Sequence, residues 1–203
     1  MGITPGEEWG SQDSYPEDFL VINSNQDLWD ILERCKRSNE LIPVIGLTGG
    51  DLWRTLGGTR RNNRLNSEEA RLFTVDIGSA LLDGHIYWFA SHLIARSPLW
   101  LGRSWIAANV AHRKSWNIAP RAHPGDGLLD VLDSNLNFSE LLKAKSRMQT
   151  GTHVPHPDIN YRRVKSEQTN FSQKTDIWLD DVKVVKAKEI SVRVEPDALR
   201  VML

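Results

Sequence analysis

The sequence predicts a mainly β fold of the α+β class: an antiparallel β-sandwich preceded by a small N-terminal α/β remnant. Three observations predict it. From residue 72 onward the chain is a succession of short β-former runs separated by turn residues. Asp83-Gly84 joins two of these runs, and Asp-Gly between apolar β-formers is a strong signal for a two-residue hairpin. Before residue 66, by contrast, apolar strand-like runs alternate with segments of helical periodicity.

In chain order, residues 1–18 are rich in Gly, Pro, Ser and acids and read as a flexible lead. Residues 19–22 form a short strand. Ser24 or Asn25 caps a helix over 27–37, where Leu28, Trp29, Ile31, Leu32 and Cys35 fall at helical spacing. A second apolar run, 41–47, leads through Thr48-Gly49-Gly50-Asp51 into a helical segment over 52–56. This β-α-β-turn-α piece is too short for a complete doubly wound sheet, so residues 19–66 are assigned to a truncated α/β lobe and 67–203 to the sandwich. Within the sandwich, strands are expected at 72–78, 84–90, 104–110, 128–132, 159–165, 168–171, 175–179, 182–185, 189–195 and 198–203. One helix, 139–148, is expected to be capped by Ser139.

Composition excludes several classes of function. Lys and Arg total 25 against 26 Asp and Glu, a net charge of −1, which gives no general attraction to nucleic acid or anionic membrane. With 40% hydrophobic and 25% charged residues, the 203-residue chain lies in the globular range. Cys35 is the only cysteine, which rules out an internal disulfide or a cysteine-rich zinc ribbon. No export signal is read near Met1, so a cytoplasmic location is expected. The apolar region 86–101 is interrupted by His92, Arg96 and Pro98 and falls short of the ~20 residues that span a bilayer, so no integral membrane segment is expected. The sequons at Asn137 and Asn170 are read as chance matches. Eight tryptophans are assigned mainly to the core, with Trp53, Trp88, Trp100, Trp105 and Trp116 the alternative pocket liners.

Two turns carry candidate chemistry. Gly49-Gly50-Asp51 lies between a strand and a helix, where backbone N–H groups can face an anion and Asp51 can hold a metal; the alternative is a glycine turn with Asp51 as a helix cap. The segment has neither P-loop spacing nor a Gly-x-Gly-x-x-Gly fingerprint. In His123-Pro-Gly-Asp-Gly127, Asp126 between two glycines suits a hard cation or a plain turn. His153 and His156 stand three apart, but prolines keep the segment extended and no third zinc ligand lies near. The pairs Arg60-Arg61 and Arg162-Arg163 read as solvated faces.

Four motifs, in order, resemble the diacylglycerol kinase and sphingosine kinase family of lipid kinases, which is related in fold to the NAD kinases. Gly49-Gly-Asp-Leu-Trp-Arg-Thr-Leu-Gly57 is similar to its Gly-Asn-Asp-Phe-Ala-Arg-x-Leu-Gly segment, and Val75-Asp-Ile-Gly78 to its Val-Asp-hydrophobic-Gly strand. Ala119-Pro-Arg-Ala-His-Pro-Gly-Asp-Gly-Leu-Leu-Asp-Val131 resembles its Ala-Pro-x-Ala-x-x-Asp-Asp-Gly-Leu-Leu-Asp-Val. Gly151-Thr-His-Val-Pro-His-Pro157 with Tyr161 is similar to its Gly-x-His-x-x-His-Pro-x-Val-x-Tyr.

The resemblance implies an α/β lobe followed by a sandwich of the lipid kinase and NAD kinase type, with a cleft between them and transfer of the ATP γ-phosphoryl group to a lipid hydroxyl. It implies catalytic roles for Asp51, Asp76 and Asp180, cofactor contacts from Gly49, Gly50 and Asp51, and a structural Mg2+ on the Asp126 side chain and the carbonyls of His123 and Leu128. The sequence departs from the family at other positions. The Gly-Gly-Asp-Gly-Thr nucleotide signature and the opening phosphate loop are not found, and Gly50 replaces an Asn. The late Asp-Gly-Glu turn corresponds to Asp180-Asp181-Val182, whose valine cannot act as a base. The family's insertion before residue 101 is pruned. The expectation is therefore a lipid kinase-like protein impaired in phosphoryl transfer, with an incomplete ATP site, acting as a binding or regulatory module for a lipid or phosphorylated small molecule. The alternative is an active minimal lipid kinase completed by homo-oligomerisation or a partner. Nucleic acid is not an expected partner.

Overall fold

In the computed structural model the described residues are 9–10, 18–59, 65, 67, 69–97, 100 and 102–203. The α/β segment comprises β1 (Leu20–Ile22), α1 (Asn25–Ser38), β2 (Ile45–Leu47) and α2 (Gly50–Thr55). The sandwich follows as β3 (Leu72–Leu82), β4 (His85–Phe89), β5 (His92–Arg96), β6 (Gly102–Ala108), β7 (His112–Arg113), β8 (Trp116–Asn117) and β9 (Leu129–Leu136). It ends with α3 (Phe138–Met148), β10 (Ile159–Val164), β11 (Ser166–Leu179) and β12 (Val182–Met202).

Helix α1 forms as its periodicity predicts. The Ser24 hydroxyl accepts the Asp27 N–H at 3.1 Å, and Asn39, in the left-handed region at φ 53°, closes the other end. Leu28 and Leu32 pack with Ile45 and Leu47 of β2 and with Val75 and Val201 of the sandwich strands. Strand β1 is parallel to β2, and β2 is parallel to the end of β12. One continuous hydrogen-bonded sheet therefore runs from the α/β segment into the sandwich.

The 21-residue β12 organises the sandwich. Its first part is antiparallel to β11, and its second part, from Ile190 to Met202, is antiparallel to β3. The register shifts between Glu195 and Leu199, where Pro196 and Asp197 (φ 54°) sit in a bulge, a sheet environment that accommodates an internal proline. Ala80, Leu82 and Phe89 of the β3–β4 hairpin pack against Leu93, Trp105, Ala107, Leu129 and Val131 of β5, β6 and β9. The outer face of those three strands is covered by α3 and residues 118–122. The second half of β6 is buried on both faces, and there its sequence, Trp105–Ala108, is continuously apolar rather than alternating.

Several expectations change on the structure. The Asp83-Gly84 hairpin forms as read, with both residues at positive φ and Leu82 opposite His85. Strands expected at 168–171 and 175–179 merge into β11, and three expected after residue 182 merge into β12, because a register shift and a bulge carry the ladder across polar or proline-containing stretches. Strand β5 lay inside the interrupted apolar region and had no flanking turn signal. The cap of α3 is Asn137, whose side-chain oxygen accepts the Glu140 N–H at 3.0 Å, rather than Ser139. In the expected flexible lead, Trp9 packs edge-on against Phe73 with centroids 5.1 Å apart. Arg60 and Arg61 lie outside the described residues. Arg162 and Arg163 are half-buried and ion-paired with Glu167 and with Asp126 and Asp130, not solvated.

Gly78 pairs with Phe89 across the hairpin, and a β-carbon at Gly78 would overlap the Phe89 ring. Gly78→Ala is accordingly expected to lower stability by about 2 kcal/mol in urea denaturation, and Phe89→Leu to cost less in the Gly78→Ala background than alone.

Candidate functional site

The candidate site is the cleft between the β1–α1 junction at Asn23–Gln26, the Thr48–Asp51 turn and the turns after β7 and β11. It encloses about 440 Å³ and is lined by Asn23, Asn25, Gly49, Asp51, Lys114 and Asp181 among others. Asp51, the first acid of α2, is 3% exposed. Its Oδ2 accepts the Asn25 side-chain amide at 2.7 Å, its Oδ1 accepts the Lys114 N–H at 2.6 Å, and its own N–H donates to Asn25 Oδ1 at 2.7 Å. The two loops meet backbone to backbone: a β-carbon on Gly49 would overlap the Asn23 carbonyl, and one on Gly50, at φ 93°, would meet Asn25 Oδ1 at 2.8 Å. The close approach that glycines allow is thus taken up by the chain itself.

Asp180 and Asp181 form the two-residue β11–β12 turn, both in the left-handed region. Asp180 turns inward and is 1% exposed. Its Oδ2 accepts the Ala90 N–H at 2.7 Å, and its Oδ1 accepts those of Ser91 at 2.7 Å and His92 at 2.9 Å. Burial pushes its carboxyl up to about 7 against the opposing pull of these three donors. Asp181 turns outward into the cleft, where it accepts Arg113 Nη2 at 2.6 Å and Asn25 Nδ2 at 3.2 Å. His92 lies between the acids: its Nε2 is 3.1 Å from the Val110 carbonyl and its Nδ1 is 3.8 Å from Asp51 Oδ2. Burial holds its imidazole down to about 4 despite the neighbouring Asp51.

Asp76 belongs to a different hollow, lined also by Gly125, Asp126, Gly127, Lys165, Arg193 and Asp197. Its Oδ2 accepts the Gly127 N–H at 2.7 Å, its Oδ1 that of Asp197 at 3.0 Å, and its own N–H donates to Pro124 O at 2.7 Å. Burial raises its carboxyl above the usual range, opposed by those two N–H groups. Asn109 ties the strand bearing Asp76 to the β4–β5 turn that Asp180 holds, its amide donating to the carbonyls of Asp76 at 2.7 Å and Ala90 at 2.8 Å. The structure thus brings Asp51 together with the Asp180-Asp181 turn and leaves Asp76 with Asp126.

The residues expected to hold Mg2+ are otherwise engaged. Asp126 Oδ2 is ion-paired with Arg163, its Oδ1 accepts the Leu128 N–H at 3.0 Å, and the His123 carbonyl accepts the Gly125 N–H at 2.9 Å. Among the described residues no three His, Cys, Asp or Glu side chains converge as a metal site requires. With Arg163 in place this donor set does not fit Mg2+, which needs near-octahedral oxygen coordination. His153 and His156 bond separately, to the Ile118 carbonyl and to Glu140.

An apolar cavity of about 230 Å³ lies beside the cleft, between α3 and the sheet, lined by Trp100, Ile106, Trp116, Ile118, Leu141 and Met148 with Phe138 and Leu142 at the helix surface. Arg113 and Lys145 also border it, and Arg113 is the wall it shares with Asp181. Sequence reasoning missed Arg113, read Asn25 only as a candidate helix cap, and weighed Asp181 only as a substitute for the family's general base. The available signals were the polar run Asn23-Ser-Asn-Gln-Asp27 between a strand and a helix, and the adjacent aspartates of a two-residue hairpin turn.

Residues 104–203 match the family model of the YegS C-terminal NAD kinase beta sandwich-like domain. This match spans just under half of the chain and supports membership of the diacylglycerol kinase and NAD kinase-like family. The fold is also similar to crystal structures from Bacillus anthracis str. Sterne. One, provisionally described as a diacylglycerol kinase, has a TM-score of 0.68 at 12% identity and covers 91% of this chain and 77% of its own. Another, described as a diacylglycerol kinase, has a TM-score of 0.66 at 12% identity and covers 91% of this chain and 75% of its own. At this identity the likeness is one of fold. No curated protein matches the chain in sequence. Among the described residues no helix is long and apolar enough to cross a membrane.

The buried pair Asp180 and His92 sets a pH test. Between about pH 4 and 7 the folded chain keeps an Asp180 proton that the unfolded chain releases, so this contribution to stability falls as pH rises. Between about pH 6.5 and 4 the unfolded chain takes up a His92 proton that the folded chain refuses, so the second contribution falls as pH drops. The two oppose each other. His92→Gln removes the second, and its urea stability relative to wild type is expected to improve by about 2 kcal/mol on acidification through that window.

Proposed function

We propose that this chain is a lipid kinase-fold protein that binds an amphiphilic lipid or phosphorylated small molecule and does not itself transfer phosphate from ATP. The observation that supports this reading is common to the three acids the family resemblance singles out. Asp51, Asp76 and Asp180 are buried, and both oxygens of each are occupied by N–H donors that join one chain segment to another. To hold magnesium or act as a base, a carboxylate must aim a lone pair at the nucleotide or the attacking hydroxyl, and these acids aim theirs at N–H groups of the chain itself. Gly49 and Gly50, which would have to offer backbone room to a phosphate, instead receive Asn23 and Asn25. The strand–loop–helix packed against Asp51 has no glycine from Asn23 to Asp27. Asn25, a neutral amide, fills the space opposite Asp51.

The ligand's chemistry follows from the cavity. Its aromatic and aliphatic lining excludes water and suits a hydrocarbon chain, while Arg113 and Lys145 at its border suit an anionic or hydroxylated head. Lys145 Nζ stands 5.7 Å from the Trp116 ring centroid and is positioned by that contact. A head group near Arg113 would compete with Asp181 for the guanidinium, so binding would be sensed at the cleft through the Arg113–Asp181 pair.

Two measurements check this reading. Radiolabelled phosphoryl transfer with Mg-ATP and diacylglycerol is expected to show no turnover; turnover abolished by Asp51→Asn contradicts it. Titration with a short-chain phospholipid, read by tryptophan fluorescence, is expected to saturate, and Leu142→Glu, which places a charge at the cavity mouth, to weaken binding roughly 10-fold. Equal affinity of the two proteins rejects the cavity as the site.

A further inference from the structure

Loop 123–128 carries Gly127, whose N–H binds Asp76, and Pro124, whose carbonyl accepts the Asp76 N–H. What holds this loop in turn is Arg163. Its strand, β10, pairs with β9 so that Arg163 stands opposite Asp130, and from there the guanidinium reaches two carboxylates at once: Nη2 pairs with Asp126 Oδ2 and Nε lies 3.4 Å from Asp130 Oδ2. Asp130 is fully buried, and the Arg163 guanidinium is the cation that stands beside it. Arg163 itself is about a quarter exposed and sits on regular strand backbone, so its position follows from register rather than from a mobile loop.

We propose that Arg163 is the resident cation of loop 123–128, taking the place a divalent ion would occupy against Asp126, so that the sandwich holds its Asp76 hollow without bound metal. A planar guanidinium satisfies two carboxylates with directional N–H bonds, whereas Mg2+ would need several more oxygen ligands. A metal at Asp126 would compete with Arg163 for Oδ2, because the other Asp126 oxygen already accepts the Leu128 N–H. This role of Arg163 is independent of the ligand proposed above.

The test is thermal melting of the full chain, with metal content measured on the purified protein. Wild type is expected to melt at the same temperature in millimolar Mg2+ and in chelator, and to carry substoichiometric divalent metal; a chelator-induced drop overturns the proposal. Arg163→Met, which leaves Asp126 and Asp130 facing each other without a cation, is expected to melt roughly 5 °C lower in chelator and to recover part of the loss as Mg2+ is added. No response of that variant to Mg2+ contradicts the claim that Arg163 stands in a cation's place. Asp126→Asn serves if Arg163→Met does not fold. Its loss relative to wild type is expected to be equal in Mg2+ and in chelator, and a larger loss in Mg2+ overturns the proposal.

Discussion

The structure depends most on the Asp180 carboxylate and the three main-chain N–H groups of Ala90, Ser91 and His92 that it captures. The chain must turn there from β4 into β5, exposing successive amides that no strand can pair. A buried amide without a partner costs on the order of 1–3 kcal/mol, so one carboxylate removes a cost several times larger than a typical single hydrogen bond contributes. The same residue begins the two-residue turn that starts β12, and its own N–H donates to the His92 carbonyl at 3.0 Å. Both turns are thereby locked to each other, and β12, which reaches from the sandwich to the parallel pair of the α/β segment, starts from a fixed point.

The rest of the candidate site repeats this device. Asp76 ties β3 to loop 123–128 and to the β12 bulge, and Asp51 ties α2 to α1 through Asn25 and to the β7–β8 turn through Lys114. Buried acids serve here as joints between segments. Asp181, the carboxylate of this turn that faces the cleft, answers to Arg113, and Arg113 borders the apolar cavity under α3. Arg113 thus links the cavity to the cleft through its ion pair with Asp181.

Much of the fold was legible because local chemistry and tertiary context agreed. Leu28, Leu32 and Cys35 at helical spacing, the Ser24 cap and the Asp83-Gly84 turn each specify their element without help from distant contacts. Strand β5 was not legible: His92–Arg96 is buried along nearly its whole length, and its boundaries are set by Asp180 and by pairing with β6 and β11 rather than by turn residues. The length of β12 was hidden for the opposite reason, since Pro196-Asp197 reads as a break and becomes a bulge only when β3 pairs on both sides of it. At the site, sequence identified Asp51, Asp76, Asp126 and Asp180 as acids worth attention. It could not show which oxygens remain free, because that depends on amides from residues as distant as Ala90 and Asp197. Arg163 escaped notice for the same reason: adjacent arginines on a strand look solvated until the register places one beside Asp130.

Asp51, Asp76 and Asp180 hold main-chain amides of other segments, and amide hydrogen exchange on the full chain tests this most directly. Slow exchange is predicted at Ala90, Ser91, His92, Lys114, Gly127 and Asp197, unchanged when Mg-ATP is added. Fast exchange at these amides in the free protein, or protection that changes on adding Mg-ATP, would contradict it.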